Sequence, residues 1–348
     1  MTRLLPRAFP WLLGLLALLL FTLFIPRGPD YELQPVQAAV GFLRGTTRLY
    51  DSGSPGFFNA PWMLFILWPL VLLPSAGGLI VWRALNLVGL ISAPHIFRGE
   101  EPVWVRVLAT CNFYTFTLLV VGNMDGIVLL GVALGWLAAQ KRRPWLMSVG
   151  LWLLTLKPFN VALVGLVLLL ALWKWTWPER LIACSLPLVS LALSFPIFGW
   201  DWPARYLANL RASPPWPLIV TTIWRAGEKS GIPLWLIALL ALLAVGAFLW
   251  ALVRRGPTRE VVALALATNL AVSPYALEPH YVLLAPTFLF IGQRRKELVL
   301  LAYLTALGIY SLRIFFGWDY VWLAVLYPLI LLAGSWYALL AKSVPSVD

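Results

Sequence analysis

Residues Ile232–Val253 read IPLWLIALLALLAVGAFLWALV, 22 residues without a charged side chain, and Arg254 and Arg255 follow at once. At about 1.5 Å of rise per residue, such a helix spans a hydrocarbon core of roughly 30 Å. Its apolar residues cover every face instead of alternating, which excludes a strand of a membrane β-barrel. Runs of the same kind fill the chain: Phe9–Ile25, Phe57–Pro74, Gly77–Phe97, Val103–Val121, Asn123–Gln140, Trp145–Leu156 and Pro158–Trp173. They continue with Leu181–Phe198, Val261–Val272, Pro279–Ile291, Leu298–Ile314 and Val321–Leu340.

Composition agrees. Of 348 residues 61% are hydrophobic and 11% charged, against about 45–50% and about 25% in soluble domains. A soluble globular protein is excluded. The chain reads as an all-α polytopic membrane protein, residues 1–348 forming a single transmembrane domain. With 26 basic and 14 acidic residues it carries a net +12, and in a membrane protein that excess reports topology before any nucleic-acid partner. Cys111 and Cys184 stand alone in apolar surroundings, and His95 and His280 are the only histidines, so a zinc site or a histidine-rich centre has no ligands. No nucleotide-binding glycine loop and no Gly-x-Ser-x-Gly elbow is present.

Arg3 and Arg7 precede the first run, and Pro26-Arg27-Gly28 follow it where a cleavage site would need small residues. We read a retained first helix with a cytoplasmic N-terminus. Placing Lys141-Arg142-Arg143, Lys174/Arg180, Arg254/Arg255/Arg259 and Arg294-Arg295-Lys296 inside gives inner segments a net +10 and outer ones a net +1. Thirteen runs cannot return the C-terminus to the cytoplasm, so one must fail to cross. Val103–Val121, with Arg106, Asn112 and three threonines, is the least apolar and is expected to be re-entrant, leaving about 12 crossings. Two large outer loops result, Arg27–Gly56 and Gly199–Gly231.

Candidate chemistry gathers in the outer segments. Asp30 and Glu32 follow the first helix, and a carboxylate at the lip of an apolar cavity can act as a general base toward a hydroxyl. Otherwise they are loop charges. The loop runs on through Gly45-x-x-Arg48-Leu49-Tyr50-Asp51 to Phe58-Asn59-Ala60-Pro61-Trp62. Lys157 lies in Leu156-Lys157-Pro158 between two apolar runs, as an anion-binding cation or a snorkelling lysine. His280, in Glu278-Pro279-His280-Tyr281, is a hydrogen-bond donor to an anion or a plain interfacial histidine. Asn123 and Asp125 can hold a ligand's hydroxyls or cap the next helix. Arg211 and Arg225 can grip an anion's oxygens or be surface charges. Trp200, Trp202, Trp216 and Trp224 crowd the second loop.

The order of these elements resembles glycosyltransferase family 87. The cues are Asp30 after the first helix, Gly45 to Leu49-Tyr50-Asp51, the Phe58-x-x-Pro61 segment, Gly122-Asn123, Leu156-Lys157-Pro158, and Ser273-Pro274 followed by Pro279-His280-Tyr281. The family often has Gly-Gln at Gly122-Asn123, an Asn-Gln-Ser stretch where Trp216 to Arg225 stand here, and paired histidines in place of the single His280.

The resemblance implies a GT-C bundle moving a sugar, mannose or a related hexose, from a polyprenyl-phosphate donor to a glycolipid or glycan acceptor on the extracytoplasmic face of the plasma (inner) membrane. Inversion at the anomeric carbon is expected, with Asp30 as base. Lys157, His280 and Arg225 would neutralise the leaving phosphate, and Glu32, Asn59, Asn123, Asp125 and Arg211 would stand among the substrate-binding residues. Neither a cofactor nor a divalent metal is expected. A transporter or lipid flippase is the competing class, and an inactive assembly subunit a third.

Overall fold

The computed structural model describes residues 20–32, 36–46, 48–50, 57–212, 220–316 and 321–341. Asp51, Trp216 and most of the first run therefore lie outside the described residues, as do both termini. Among the described residues every regular element is a helix and none is a strand. Five helical stretches among the described residues are long and apolar enough to cross a membrane: Ser75–Ile96, Val103–Val121, Trp177–Phe198, Leu234–Arg255 and Trp322–Leu340.

Local chemistry sets the boundaries. Proline occupies the first turn of the helices starting at Pro144 and Pro158, where its missing N–H costs nothing. Thr258 caps Arg259–Val272 through Val261 N–H, and Thr176 and Glu179 form a reciprocal capping box at Trp177–Phe198. The Arg259–Val272 helix is buried from Val261 through Ala271 without a gap, so it is the central pillar of the bundle.

Small residues bring the next layer together. A Cβ on Gly89 would stand 1.8 Å from the carbonyl oxygen of Gly126, and one on Gly150 would stand 2.5 Å from Gly135 N. The helices Ser75–Ile96, Asp125–Lys141 and Pro144–Leu154 thus approach backbone to backbone, as small-residue packing in membranes allows. This contact fixes the first turn of Asp125–Lys141.

Helix ends sort into two groups. At one end Arg142 pairs with Glu179, Gln293 donates to Glu101, Arg259 donates to the carbonyl of Arg98, and Arg255 to that of Leu339. At the other lie Lys157, Asp125, His280 and the segment after Ile25. The two segments expected as outer loops meet there: Arg205 donates to the Leu49 carbonyl, Tyr206 to that of Phe58 and Asn209 to that of Phe57.

One expectation is corrected. Val103–Val121 does not begin and end on the same side. Its start packs at the Glu101/Gln293 end, where Val105 touches Gly292, and it finishes at Gly122 beside Gly28. Its polar residues serve the helix itself. Thr110, Thr115 and Thr117 bond to backbone carbonyls within the segment, and Asn112 caps a restart after a break at Cys111. The segment whose two ends lie together is instead Pro61–Val71. Trp62 reaches Thr155 Oγ1, while Leu70 lies against Gly78 beside the Tyr31 hydroxyl, so both of its ends stay at the Lys157 end.

Candidate active site

Three chain turns and one helix start converge. The first turn follows Ile25. Gly28 sits against Val121 and Gly122, where a Cβ would meet backbone atoms at 3.2–3.3 Å, and Tyr31 packs on Trp82. Asp30 is thereby held half-buried at the bundle end. The second turn closes the Phe113–Val121 helix. Gly122 adopts φ +75°, a left-handed cap that glycine takes without strain. Asn123 comes next.

The third turn breaks the run around Lys157, which ends Pro144–Leu154 and precedes Pro158–Ala171. Asn269 of the central helix supports the irregular backbone that follows. Its amide donates to the Phe159 carbonyl at 2.7 Å and accepts from Leu163 N–H at 3.1 Å, satisfying groups freed near the kink at Val161. Asp125 opens the fourth element. It does not cap its own helix; Asn86 does so from the neighbouring helix, accepting from Gly126 N–H at 2.9 Å and from Ile127 N–H. The Asp125 carboxylate is left free to face Lys157 at the favourable, positive end of the helix dipole.

The result is a connected chain of polar groups. Asn123 Nδ2 donates to Asp30 Oδ2 at 3.0 Å, while its Oδ1 accepts from Lys157 Nζ and from Met124 N–H. The amide orientation is thus fixed by its neighbours. Lys157 Nζ lies 3.0 Å from Asp125 Oδ2 and 3.3 Å from His280 Nε2. His280 Nδ1 accepts from Leu277 N–H at 3.1 Å. A neutral ring held this way carries its proton on Nε2, facing Lys157 and, at 3.8 Å, Asp125. Two donors, Nζ and Nε2–H, therefore stand side by side.

Burial raises the Asp30 carboxyl above its ordinary range. Lys157 and the Asn123 amide pull it down and Asp125 pushes it up, without reversing the effect of burial. Tyr275 packs edge-on against His280, ring centroids 5.6 Å apart. Its phenol is raised by burial first, then by the carboxylates of Asp30 and Asp125, which it faces.

Of the nine residues singled out in the sequence, the structure brings together Asp30, Asn123, Asp125, Lys157 and His280. It does not bring in the other four. Glu32 is half-buried and none of its hydrogen bonds among the described residues joins the cluster. Among the described residues Asn59 contributes its backbone carbonyl, which accepts from the Tyr50 hydroxyl. Arg211 is exposed, and Arg225 pairs with Glu228 at 2.6 Å. Sequence reasoning missed Tyr275, Asn86 and Asn269. Tyr275 stood inside the Ser273–Pro279 motif as an unassigned position; the two asparagines carried a signal only as polar residues within apolar runs. Among the described residues no group of three His, Cys, Asp or Glu side chains is placed to hold a metal ion.

Residues 57–274 match the profile of Glycosyltransferase family 87. The chain belongs to glycosyltransferase family 87. That makes it a membrane glycosyltransferase, and a glycosyltransferase uses a sugar donor and an acceptor. No curated protein and no solved structure matches the chain. Asn123, Asp125 and Lys157 fall inside the matched span of this family 87 protein. Asp30 and His280 fall outside it, and only the fold joins them to the other three.

Proposed function

We propose that this protein transfers a hexose, mannose first, from a polyprenyl-phosphate donor to the hydroxyl of a glycolipid or glycan acceptor at the extracytoplasmic face of the plasma (inner) membrane. The observation that carries the reading is Asn123. One amide joins a carboxylate of raised basicity to a lysine, setting a base and a cation at a fixed separation.

Asp30 takes the proton of the acceptor hydroxyl. The oxygen attacks the anomeric carbon from the face opposite the phosphate, and a carbon–oxygen bond forms. The bond to the phosphate breaks, and polyprenyl phosphate leaves with its electron pair, so the configuration inverts. Lys157 Nζ and His280 Nε2–H are the paired donors for the departing oxygens, an arrangement that is strongest where charge develops in a water-poor site. These two groups donate hydrogen bonds to the departing phosphate, and no metal is assigned a step. Asp125 holds Lys157 in place between turnovers.

The reading assigns about twelve passes, with the Lys157 end outward and both termini cytoplasmic. A transporter or flippase would place charged groups at successive depths of one path; here the cluster gathers at one end. Incubating the purified protein with polyprenyl-phosphate mannose, glucose or arabinose and glycolipid acceptors tests the proposal. Transfer from one of them is expected. Absence of transfer from all three, with intact donor recovered, would overturn the donor class.

A further inference from the structure

Arg83 has no part in the cluster, yet it is a fully buried arginine in the third turn of the membrane-length helix Ser75–Ile96. A buried guanidinium is costly at that depth, so its partners indicate its use. Nη1 donates to the Ile25 carbonyl at 2.8 Å and Nε to the Leu119 carbonyl at 2.8 Å. Both acceptors belong to helix C-termini, where the last carbonyls lack partners within the helix and carry partial negative charge. The Phe21 ring lies 4.9 Å from the guanidinium carbon, and Glu32 is within Coulombic reach.

Those two carbonyls head the two segments that meet in the site. Ile25 stands five residues before Asp30, and Leu119 four before Asn123. Trp82, next to Arg83, reinforces the grip by donating to the Gly122 carbonyl at 2.8 Å and packing on Tyr31. One helix turn thus holds both chain ends whose side chains form the Asp30–Asn123 hydrogen bond. We infer that Arg83 is a positioning residue, a two-pronged clamp that sets the distance of Asp30 from Asn123 and Lys157. Its importance for turnover rests on the reading of Asp30 as the general base. Lysine cannot replace it fully, because a single ammonium does not reach two diverging carbonyls with a rigid fork.

The test uses the full chain with Cys111 and Cys184 replaced by serine, carrying the pair Asp30→Cys and Asn123→Cys. Cross-linking by a bis-methanethiosulfonate reagent with a one-methylene spacer, which joins thiols held farther apart than a direct disulfide allows, is timed in this background and again with Arg83→Met or Arg83→Lys added. The clamp predicts fast cross-linking with Arg83, about tenfold slower with Arg83→Met and intermediate with Arg83→Lys. Equal rates in all three overturn it, whatever reaction the protein performs. Where Arg83→Met does not fold, Arg83→Lys alone decides on the same criterion.

A second readout uses the native cysteines, Asp30 and Asn123, with polyprenyl-phosphate mannose as donor. Arg83→Met should lower kcat at least about tenfold with donor KM nearly unchanged, since a misplacement near 1 Å is enough for such losses. Slow cross-linking with undiminished kcat would uphold the clamp and overturn the general-base reading.

Discussion

Lys157 Nζ stands 3.0 Å from Asp125 Oδ2, with the lysine side chain 13% exposed and the aspartate fully buried. The lysine is therefore paired, not snorkelling. Removing one partner leaves the other as a nearly buried, uncompensated charge. Asp125→Asn should cost about 3 kcal/mol of stability, the low end for a broken buried pair because Asn123 still accepts from Lys157. The double variant Asp125→Asn/Lys157→Met should recover much of that loss. Thermal unfolding in detergent reads both, and a double variant as unstable as the sum of the singles would contradict the pairing.

The raised Asp30 carboxyl gives pH dependence a definite sign. A base works ionised, so transfer should climb with pH through a value above the ordinary carboxylate range near about 4, and fall in acid. Stability runs the other way. A group with its folded pKa above the unfolded one stabilises the fold below the unfolded value and loses that contribution as pH rises through the folded value. At neutral pH, Asp30→Asn should unfold at or above the wild-type temperature while losing activity. A marked fall in its unfolding temperature would show that ionised Asp30 is a structural support.

Backbone contact between the Ser75–Ile96 and Asp125–Lys141 helices holds Asp125 in place. In Gly89→Ala the new methyl would meet the Gly126 carbonyl oxygen at 1.8 Å, forcing the helices apart. A loss of about 1–3 kcal/mol is expected for such overpacking, together with slower transfer. Gly308→Ala, where nothing stands within 4 Å, is the control and should be neutral or slightly stabilising. Equal effects of the two substitutions would contradict the packing account.

The apolar runs made the helices legible, and Asp30, Lys157 and His280 were legible because each ionisable residue interrupts or borders such a run. The crossing pattern was not. Arg98, Glu100, Glu101 and Arg106 sum to zero charge, so the positive-inside count is the same with that segment at either end. The polar content of Val103–Val121 also pointed the wrong way. Its threonines and Asn112 bond to their own backbone, which costs nothing in a crossing segment and has no distinct signature in composition. Arg225 looked available until its helix set Glu228 one turn away. Arg83 and Asn86 act on carbonyls and N–H groups from other segments, and such partners are invisible before the chain is folded.

In the proposed reaction Asp30 removes the acceptor proton. The most direct measurement is the initial rate of sugar transfer from polyprenyl-phosphate mannose to a glycolipid acceptor, comparing purified wild type with Asp30→Asn and Glu32→Gln. Removal of a general base costs a factor of about 10²–10⁴. The account predicts that loss in Asp30→Asn with donor binding retained, and a rate close to wild type in Glu32→Gln, whose side chain stands outside the cluster. Near-normal transfer by Asp30→Asn would contradict the account, and collapse of Glu32→Gln alone would move the base to Glu32.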